Sequence, residues 1–486
     1  MHEPSSENWM PFTGSQGELL GPSQKSILDQ LRPKALQLYR SARNESVFEA
    51  LNGENWPTAT QENLKKLQRR QAVAVITGQQ PCLWGGPALV LHKIATAVAI
   101  AKWLNREGIP AVPVFWNASE DHDLHEMFQV DGFYPDGGIQ THRKKMQALC
   151  SAEALAAEPK EFFPKGFSPW MAELWSQNQK SWAGQLSHVL MQIFADDGLI
   201  AIEPRDLAPY SFDFWQKVEQ AQGELLKAYD HDEAAIIRGG QALQAPRRHP
   251  LPIFALNTSG ERRSLTQMGR SVFKVEEHWT SLWRPSPAAL LRPLFAQSQL
   301  PILVSVLGPA EMKYHRQIAS SYQVLGLPQP LLWPRLKGSY VPSELRSELE
   351  NRGLQPEQML QHRDHLREIL RAKSHSLEAQ LLSGHLAALT QETSRQNPTA
   401  QFELLRFEQD LFKAFNRFER SLQKREFQKH GFSVQRVQQI EDWFFPWGMP
   451  QERRLGWSFI LKDAEHFHHI QQQFSDPFDF SQRIYE

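Results

Sequence analysis

The sequence predicts an α/β protein of the doubly wound, parallel-sheet class with a helical arm toward its C-terminal end. Three observations predict it. Short continuous apolar runs alternate with helical stretches between Val73 and Trp333. Polar or glycine-containing clusters follow the ends of those runs, where open α/β sheets bind their ligands. Beyond about Pro342 the pattern changes to apolar residues spaced four and three apart, the heptad spacing of packed helices.

Taken in order, residues 1–70 read as a polar N-terminal helical region that packs on the core, with helical periodicity over Ser23 to Arg43 and Thr60 to Gln71. An apolar strand pattern starts at Val73 and ends at Thr77-Gly78. Pro87 opens an almost wholly apolar helix, a position that suits proline, and Ala111 to Trp116 is a second apolar run. Two parallel strands joined by a right-handed helical crossover account for this unit. Trp170 to Phe194 reads as helix, and Gly198 to Glu203 as a third buried strand closed by Glu203, Arg205 and Asp206. Phe212 to Tyr229 is helical again. Arg247 to Val275 is poorly periodic, with alternation around Ile253 to Asn257 that suggests a small β insertion. Pro301 to Leu307 is a further strand, Ala310 to Leu325 a helix, and Pro330 to Trp333 a short final strand followed by Pro334-Arg335-Leu336-Lys337-Gly338-Ser339.

From Glu357 to Arg395 the seam runs through Leu366, Leu370, Leu377, Leu381 and Ala388. From Gln401 to His430 it runs through Leu404, Phe407, Leu411, Phe415, Phe418 and Leu422. Asn397-Pro398 separates the two, so they read as an antiparallel helical hairpin. The stripes serve equally well to fold the arm on itself or to pair it with a second subunit. Asp442 to Glu486 is aromatic and interrupted by proline, as expected of a segment packing back on the core. The expected division is therefore 1–70, a core over 71–341 with insertions at about 230–290, an arm over 342–440, and a C-terminal segment over 441–486.

A chain of 486 residues is too long for one ordinary core and implies two or three domains. Its 53 basic and 54 acidic residues balance, which argues against a dedicated nucleic-acid binder. Cys82 and Cys150 are the only cysteines, excluding a disulfide scaffold and fitting a reducing compartment. The opening residues lack the basic flank and apolar core of a signal peptide. The longest apolar stretch, Ala88 to Leu104, is broken by His92, Lys93 and Lys102 and is too short to span a membrane. A soluble cytoplasmic protein is expected.

Two polar clusters stand at the ends of consecutive strands. Gly78-Gln79-Gln80 and Gly85-Gly86-Pro87 bracket a loop that leads into a helix. Glycines allow close backbone approach and a helix N-terminus favours an anion, with Lys93 within reach. The loop is neither a Walker loop nor GxGxxG, and a tight structural turn is the ordinary alternative. After the second strand come Asn117, Ser119 and then Glu120-Asp121-His122-Asp123-Leu124-His125-Glu126. So many ionisable groups must be solvated, paired or catalytic, since burying them unpaired is costly. Three chemistries fit. Asp121 or Glu120 with His122 makes an acid/base pair, the same groups hold a substrate ammonium or hydroxyls, or His122, His125 and Glu126 ligate a metal, although HxxHE is not the HExxH spacing. An acid-rich helix start explains Glu120 and Asp121 but not the histidines.

Further strand ends carry Arg292 before, and Gly308 and Glu311 after, the Pro301 to Leu307 run. Glu311 in a first helical turn is ordinarily a favourable charge on the dipole. Arg335 is placed to grip phosphate or carboxylate, and ordinarily such an arginine makes a surface salt bridge. Cys82 lies beside a helix N-terminus, which can lower a thiol pKa, but without a histidine partner it reads as a small buried residue. His466, His468 and His469 read as surface.

At this point the chain resembles the cysteine ligase family of bacillithiol synthesis (BshC). The resemblance rests on TGQQ at Thr77–Gln80, Gly86-Pro87 followed by a helix with Lys93, and PVFWNASEDHD at Pro113–Asp123. It is supported by LLRPLF at Leu290–Phe295, GPAE at Gly308–Glu311, Pro334-Arg335 and PQER at Pro450–Arg453. The loop PCLWGGP departs from the family's small residues and threonine, so Cys82, Trp84 and Gly85 inherit no role. His92 stands where an aromatic is common. The resemblance implies a Rossmann-like core similar to class I synthetases, a coiled-coil arm that makes a homodimer, and addition of cysteine to glucosamine-malate. Catalytic roles then fall on His122, Asp121 and Asp123, and substrate contacts on Gln79, Gln80, Asn117, Ser119, Glu120 and Arg292. Nucleotide contacts, with ATP and magnesium the expected cofactors, fall on Gly78, Gly86, Lys93, Gly308, Glu311, Arg335 and Ser339. A dimeric nucleotide sensor or scaffold without turnover is the alternative, and a metal-dependent hydrolase on His122, His125 and Glu126 the third.

Overall fold

The computed structural model describes residues 23–41, 47–48, 51, 56–121, 128–133, 139–143, 163–177, 181–245, 251–257, 261–270, 272–280, 282–372, 385, 388 and 401–486. They fall into two compact units. The first comprises Met1–Gly132, Thr141–Lys337 and Leu455–Ser481; the second comprises Phe133–Gln140, Gly338–Arg454 and Gln482–Glu486.

The first unit is built on a five-stranded parallel sheet. Its strands are β1 (Val73–Gln79), β2 (Ala111–Asn117), β3 (Ile200–Ile202), β4 (Ile302–Leu307) and β5 (Leu331–Pro334). Their spatial order is β5-β4-β1-β2-β3. The chain winds outward from β1 through β2 to β3, then returns to lay β4 on the other side of β1. The reversal makes a switch point between β1 and β4, and the crevice outside the carboxyl ends of these two strands is where such sheets bind ligands.

All seven residues of β2 and all six of β4 are buried. That accounts for their unbroken apolar sequences, because a parallel sheet is covered on both faces. Successive side chains alternate between faces. Val73 and Val75 join one cluster with Ile27, Leu31 and Leu38 of helix α1 (Gln24–Arg40) and with Ile100 and Leu104. Ala74 and Ile76 join the other with Leu64 and Leu67 of α2 (Thr58–Gln68) and with Phe214 and Trp215. Each such fully buried aliphatic side chain contributes about 1.5–3 kcal/mol of transfer free energy. Crossover helix α3 (Leu89–Arg106) buries fourteen of its eighteen residues, which is why it reads as nearly all apolar. Among the described residues no helix is long and apolar enough to cross a membrane.

Several boundaries differ from expectation, each for a local reason. The stretch read as one helix over 170–194 is two helices, Pro169–Ser176 and Trp182–Ile193; Ser181 accepts from the Gly184 N–H and starts the second. Helix α4 (Phe212–Arg238) runs nine residues past Tyr229. The helix read over 310–325 begins as α5 (Pro309–His315), passes through a 3-10 turn and resumes at Ala319–Val324. The irregular insertion forms a three-stranded antiparallel sheet of Arg262–Ser264, Ile253–Asn257 and Trp283–Pro287.

In the second unit the main helices are α6 (Ser343–Glu350), α7 (His365–Ala372), α8 (Gln401–Lys429) and α9 (Val434–Phe444). Leu366, Leu370, Phe427, Phe432, Val437 and Ile440 are buried there. Arg367 grips Glu441 through Nε at 2.8 and 2.9 Å and Nη2 at 2.7 Å. Leu377, Leu381 and the Asn397-Pro398 turn of the expected hairpin lie outside the described residues.

Candidate active site

The switch point is organised around one buried lysine. Gln79 lies opposite Asn117 in the β1–β2 register, and the Ala118 N–H donates to the Gln79 carbonyl at 2.9 Å. Parallel pairing thus brings TGQQ and the start of the acidic run side by side. Gly78 has no room for a side chain, since a Cβ there would sit 2.8 Å from the Trp116 carbonyl. Lys93 points back from α3 and donates to the Gly78 carbonyl and Gln79 Oε1, both at 3.0 Å, and to Glu311 Oε1 at 2.9 Å. Glu311 also accepts the Gly308 N–H at 2.6 Å, closing the β4-to-α5 turn. Arg335 is buried beside them: a Cβ on Gly308 would stand 3.9 Å from its Nε. Its Nη1 donates to the Leu336 carbonyl at 3.2 Å.

Next to this lies the acidic run. Asp121 Oδ2 accepts from Arg292 Nη2 at 3.1 Å. Tyr314 lies one turn along α5 from Glu311. Desolvation and then Glu311 push its hydroxyl up, while Arg292 and Asp121 also act on it. Glu120 is 4% exposed, and its carboxylate accepts from Arg284 Nη2 and from Ser286 Oγ at 2.6 Å. Burial alone would raise this carboxyl, but Arg284 and Ser286, helped by Arg262, hold it below the usual range. Arg262 donates to the Glu120 carbonyl at 3.1 Å and the Pro287 carbonyl at 3.0 Å, and stacks 4.0 Å over Phe254. Burial, then repulsion from Arg292, lowers Arg262 to about 10.

The end of β3 contributes a third acidic group. Glu203 is buried and receives Arg205, with Nε at 2.9 Å and Nη2 at 3.0 Å. Burial nonetheless raises its carboxyl to about 7; Arg205 and Ser119 oppose the shift and Asp206 adds to it. Asp206 lies near enough to Glu120 to be raised by it, though burial is the larger cause. Ionisable groups therefore stand at the carboxyl ends of β4, β1, β2 and β3.

The glycine loop has a different role from its neighbours. Trp84, Gly85 and Gly86 all have positive φ, at 46°, 82° and 77°. A Cβ on Gly85 would enter the Trp457 ring, 2.0 Å from its nearest atom, and one on Gly86 would lie 2.6 Å from Cys82 Cβ. The N–H groups of Gly85 and Gly86 donate to Cys82 and Leu83 carbonyls, and those of Ala88 and Val90 to Leu455 and Pro87. Trp457 Nε1 donates to the Gly85 carbonyl at 2.9 Å and Ser458 Oγ to the Trp84 carbonyl at 2.7 Å. Residues 455–458 thus strap the loop down, and these four amides bond within the protein.

Lys93, Gln79, Gly78, Gly308, Glu311, Arg335, Asp121 and Arg292 come together, with Glu120 behind them. Asn117 directs its amide nitrogen away, to the Ala183 carbonyl at 2.7 Å and Ser187 at 2.9 Å, while its Oδ1 has no partner among the described residues. Gln80 supplies a carbonyl to Cys82 Sγ at 3.4 Å. Ser339 belongs to the second unit, where its hydroxyl accepts from Gln482 at 3.3 Å. His92 is fully buried and stacked on Phe474, a structural position. His122, Asp123, His125 and Glu126 lie outside the described residues. Arg262, Arg284, Ser286 and Tyr314 escaped the sequence reading. Tyr314 had a signal in its three-residue spacing from Glu311; the others stand in the irregular insertion, with nothing local to mark them. A separate hollow lined by Leu38, Asp213, Lys217, Gln297 and Leu325 lies at the amino-terminal edge of the sheet, away from these groups.

Residues 27–336 match the family described as bacillithiol biosynthesis BshC, N-terminal Rossmann-like domain. Residues 339–486 match the C-terminal coiled-coil domain of the same family. The chain belongs to the BshC family. Relatives named "Putative cysteine ligase BshC" include one from Bacillus licheniformis, 27% identical over 332 residues, covering 60% of this chain and 60% of the relative. One from a strain of Thermus thermophilus is 27% identical over 420 residues, covering 81% and 84%. Another, from a second strain of Thermus thermophilus, is 30% identical over 315 residues, covering 61% and 63%. Against the first of these relatives the chain spans about 60% of the length. BshC membership gives the parallel sheet its Rossmann-like class and the second unit its coiled-coil class.

Proposed function

We propose that this BshC chain is a cytoplasmic ligase that joins the carboxyl of cysteine to the amino group of glucosamine-malate, the last step in making bacillithiol or a related thiol. Family membership supports the pathway. The observation that carries the chemistry is the placing of the Lys93–Glu311 and Asp121–Arg292 pairs at the carboxyl ends of the neighbouring strands β1 and β2, where Lys93 bonds Gln79 and the Ala118 N–H donates to the same residue's carbonyl. Amide formation replaces an oxygen on the cysteine carboxyl carbon by the sugar nitrogen, so the carboxyl must be activated and the amine must lose a proton. ATP with magnesium supplies the activation in this reading. Lys93 and Arg335 then offer fixed positive charge where negative charge develops on the leaving oxygens, the arrangement that gains most in a water-poor site. Asp121, with Asp123, binds the cysteine ammonium or sugar hydroxyls, and His122 accepts the proton of the attacking amine. Arg292 fixes the Asp121 carboxylate at 20% and 26% side-chain exposure, leaving that group accessible to a substrate.

The homodimer expected of the arm has a surface to use: Phe407 and Phe418 of α8 are 62% and 44% exposed. The experiment is incubation of the full chain with cysteine and glucosamine-malate, with and without ATP and magnesium, read by mass spectrometry. The condensed thiol is expected with ATP, and Lys93→Met is expected to form it at least about 100-fold more slowly, the cost of losing one preorganised electrostatic group. Substrate binding without product under every condition would instead favour a sensor.

A further inference from the structure

The second unit carries a side-chain cluster that the proposed reaction does not use. The His365 N–H donates to the His362 carbonyl at 3.2 Å, closing a turn that brings the two residues together at the start of α7. Glu368 follows three residues later, on the same side of the helix as His365. Leu366 and Leu370 are buried, so the helix that carries His365 and Glu368 is anchored by its apolar face. One ligand atom from each of His362, His365 and Glu368 lies within 4.8 Å of the others.

The spacing is informative. His362 Nε2 is 3.1 Å, and His365 Nδ1 3.3 Å, from the same Glu368 Oε2. A tetrahedral ion with bonds of about 2.0–2.1 Å to nitrogen and oxygen separates its ligand atoms by roughly 3.3 Å. The neighbouring cations are engaged elsewhere, Arg363 with Asp442 at 2.6 Å and Arg367 with Glu441 at 2.7 Å. An ordinary hydrogen-bonded trio explains each contact singly. A carboxylate oxygen accepts two N–H bonds without an ion; the ligand set is marked by the closeness of all three atoms, within 4.8 Å of one another.

We propose that His362, His365 and Glu368 form a binding site for a divalent transition ion, with water completing its shell. Two imidazole nitrogens and one carboxylate oxygen suit zinc(II) and its neighbours cobalt(II), nickel(II) and copper(II), and do not suit magnesium or calcium, which take oxygen ligands. The ion ties the turn at residues 362–365 to the first two turns of α7 and stiffens the base of the helical unit. Partial exposure of His362 and Glu368, at 50% and 55%, leaves room for the water ligands and gives an exchangeable site.

The test uses the full chain, stripped with EDTA and titrated with zinc chloride against a chromophoric competitor, and separately with cobalt(II) read by its visible absorption. Wild type is expected to take up one more equivalent at micromolar metal than the His362→Ala/His365→Ala double variant, and only wild type gains the cobalt band. Glu368→Gln is expected to weaken the extra equivalent at least tenfold, and it carries the test should the double variant lose its native circular dichroism. Equal stoichiometry and affinity in wild type and variants, or a difference that appears only at millimolar metal, would overturn the proposal.

Discussion

The ends of β2 and β3 place two glutamates in similar settings with opposite electrostatic results. Glu120 and Glu203 each follow a buried strand, and each is 4% exposed. Glu120 is held below the usual carboxylate range, whereas Glu203 rises to about 7. Burial works on both in the same direction, so the difference lies in what opposes it. Glu120 receives Arg284, Ser286 and the field of Arg262, all delivered by the small antiparallel sheet. Glu203 has a single arginine, two residues away in sequence, and a second carboxylate, Asp206, beside it. Strand ends collect acids; the cations that arrive from distant elements decide which of them stay charged near neutral pH.

The strongest way to break the contrast is Arg284→Ala. It leaves Glu120 buried with its main counter-charge gone, and breaking a buried pair costs about 3–5 kcal/mol. Urea unfolding at pH 7 checks the size. The sign of the pH response should also reverse. With a depressed folded pKa, wild-type Glu120 adds stability above its unfolded value and loses it as pH falls through the folded one. In the variant burial dominates, and the group should cost stability as pH rises. Adding Glu120→Gln should restore part of the loss; a variant pair that destabilises additively would mean the two groups are not coupled.

Glu203→Gln sharpens the other side. A carboxyl raised from 4.5 to about 7 binds its proton more tightly when folded, so its contribution is intact below about pH 4.5. It is lost as pH climbs to about 7, for a total of about 3 kcal/mol. Gln resembles the protonated carboxyl, so the unfolding free energies of wild type and Glu203→Gln, measured from pH 4.5 to 8, should lie closest at low pH, with wild type losing about 3 kcal/mol relative to the variant as pH rises. Parallel curves would place the Glu203 titration outside this window.

The contrast also marks what the chain makes legible. Apolar strands ending in glycine or acid, and proline opening a helix, are local patterns; they marked the strand positions and the doubly wound class, and set Gly78, Gly308 and Glu311 at strand ends. Arg284 and Arg262 were invisible because their partner is more than 140 residues away and their own segment has no clear period. Gly85, which inherits no role from the resemblance, shows the opposite case. A glycine before a helix looks like a ligand cradle, yet here the space is taken by Trp457, 372 residues later in the chain. Local pattern predicts where backbone ends gather; long-range packing decides which of their amides and charges remain for a ligand.

The smallest expected effect on stability separates structural from chemical use of the same run. Asp121 and Arg292 are 26% and 20% exposed, and their single 3.1 Å contact is weaker than the enclosed Glu120 clamp. Partly exposed pairs contribute about 0–1 kcal/mol, so Arg292→Lys should leave the unfolding midpoint nearly unchanged. Lysine keeps the charge but not the planar guanidinium that fixes the carboxylate. If Asp121 holds the cysteine ammonium, loosening it should raise KM for cysteine several-fold while the affinity for glucosamine-malate changes little. A variant that loses stability by about 2 kcal/mol or more, the range of a broken buried pair rather than an exposed one, would instead assign Asp121 to the scaffold alongside Glu120. In that case the boundary between scaffold and site would run after residue 121, within the acidic run itself.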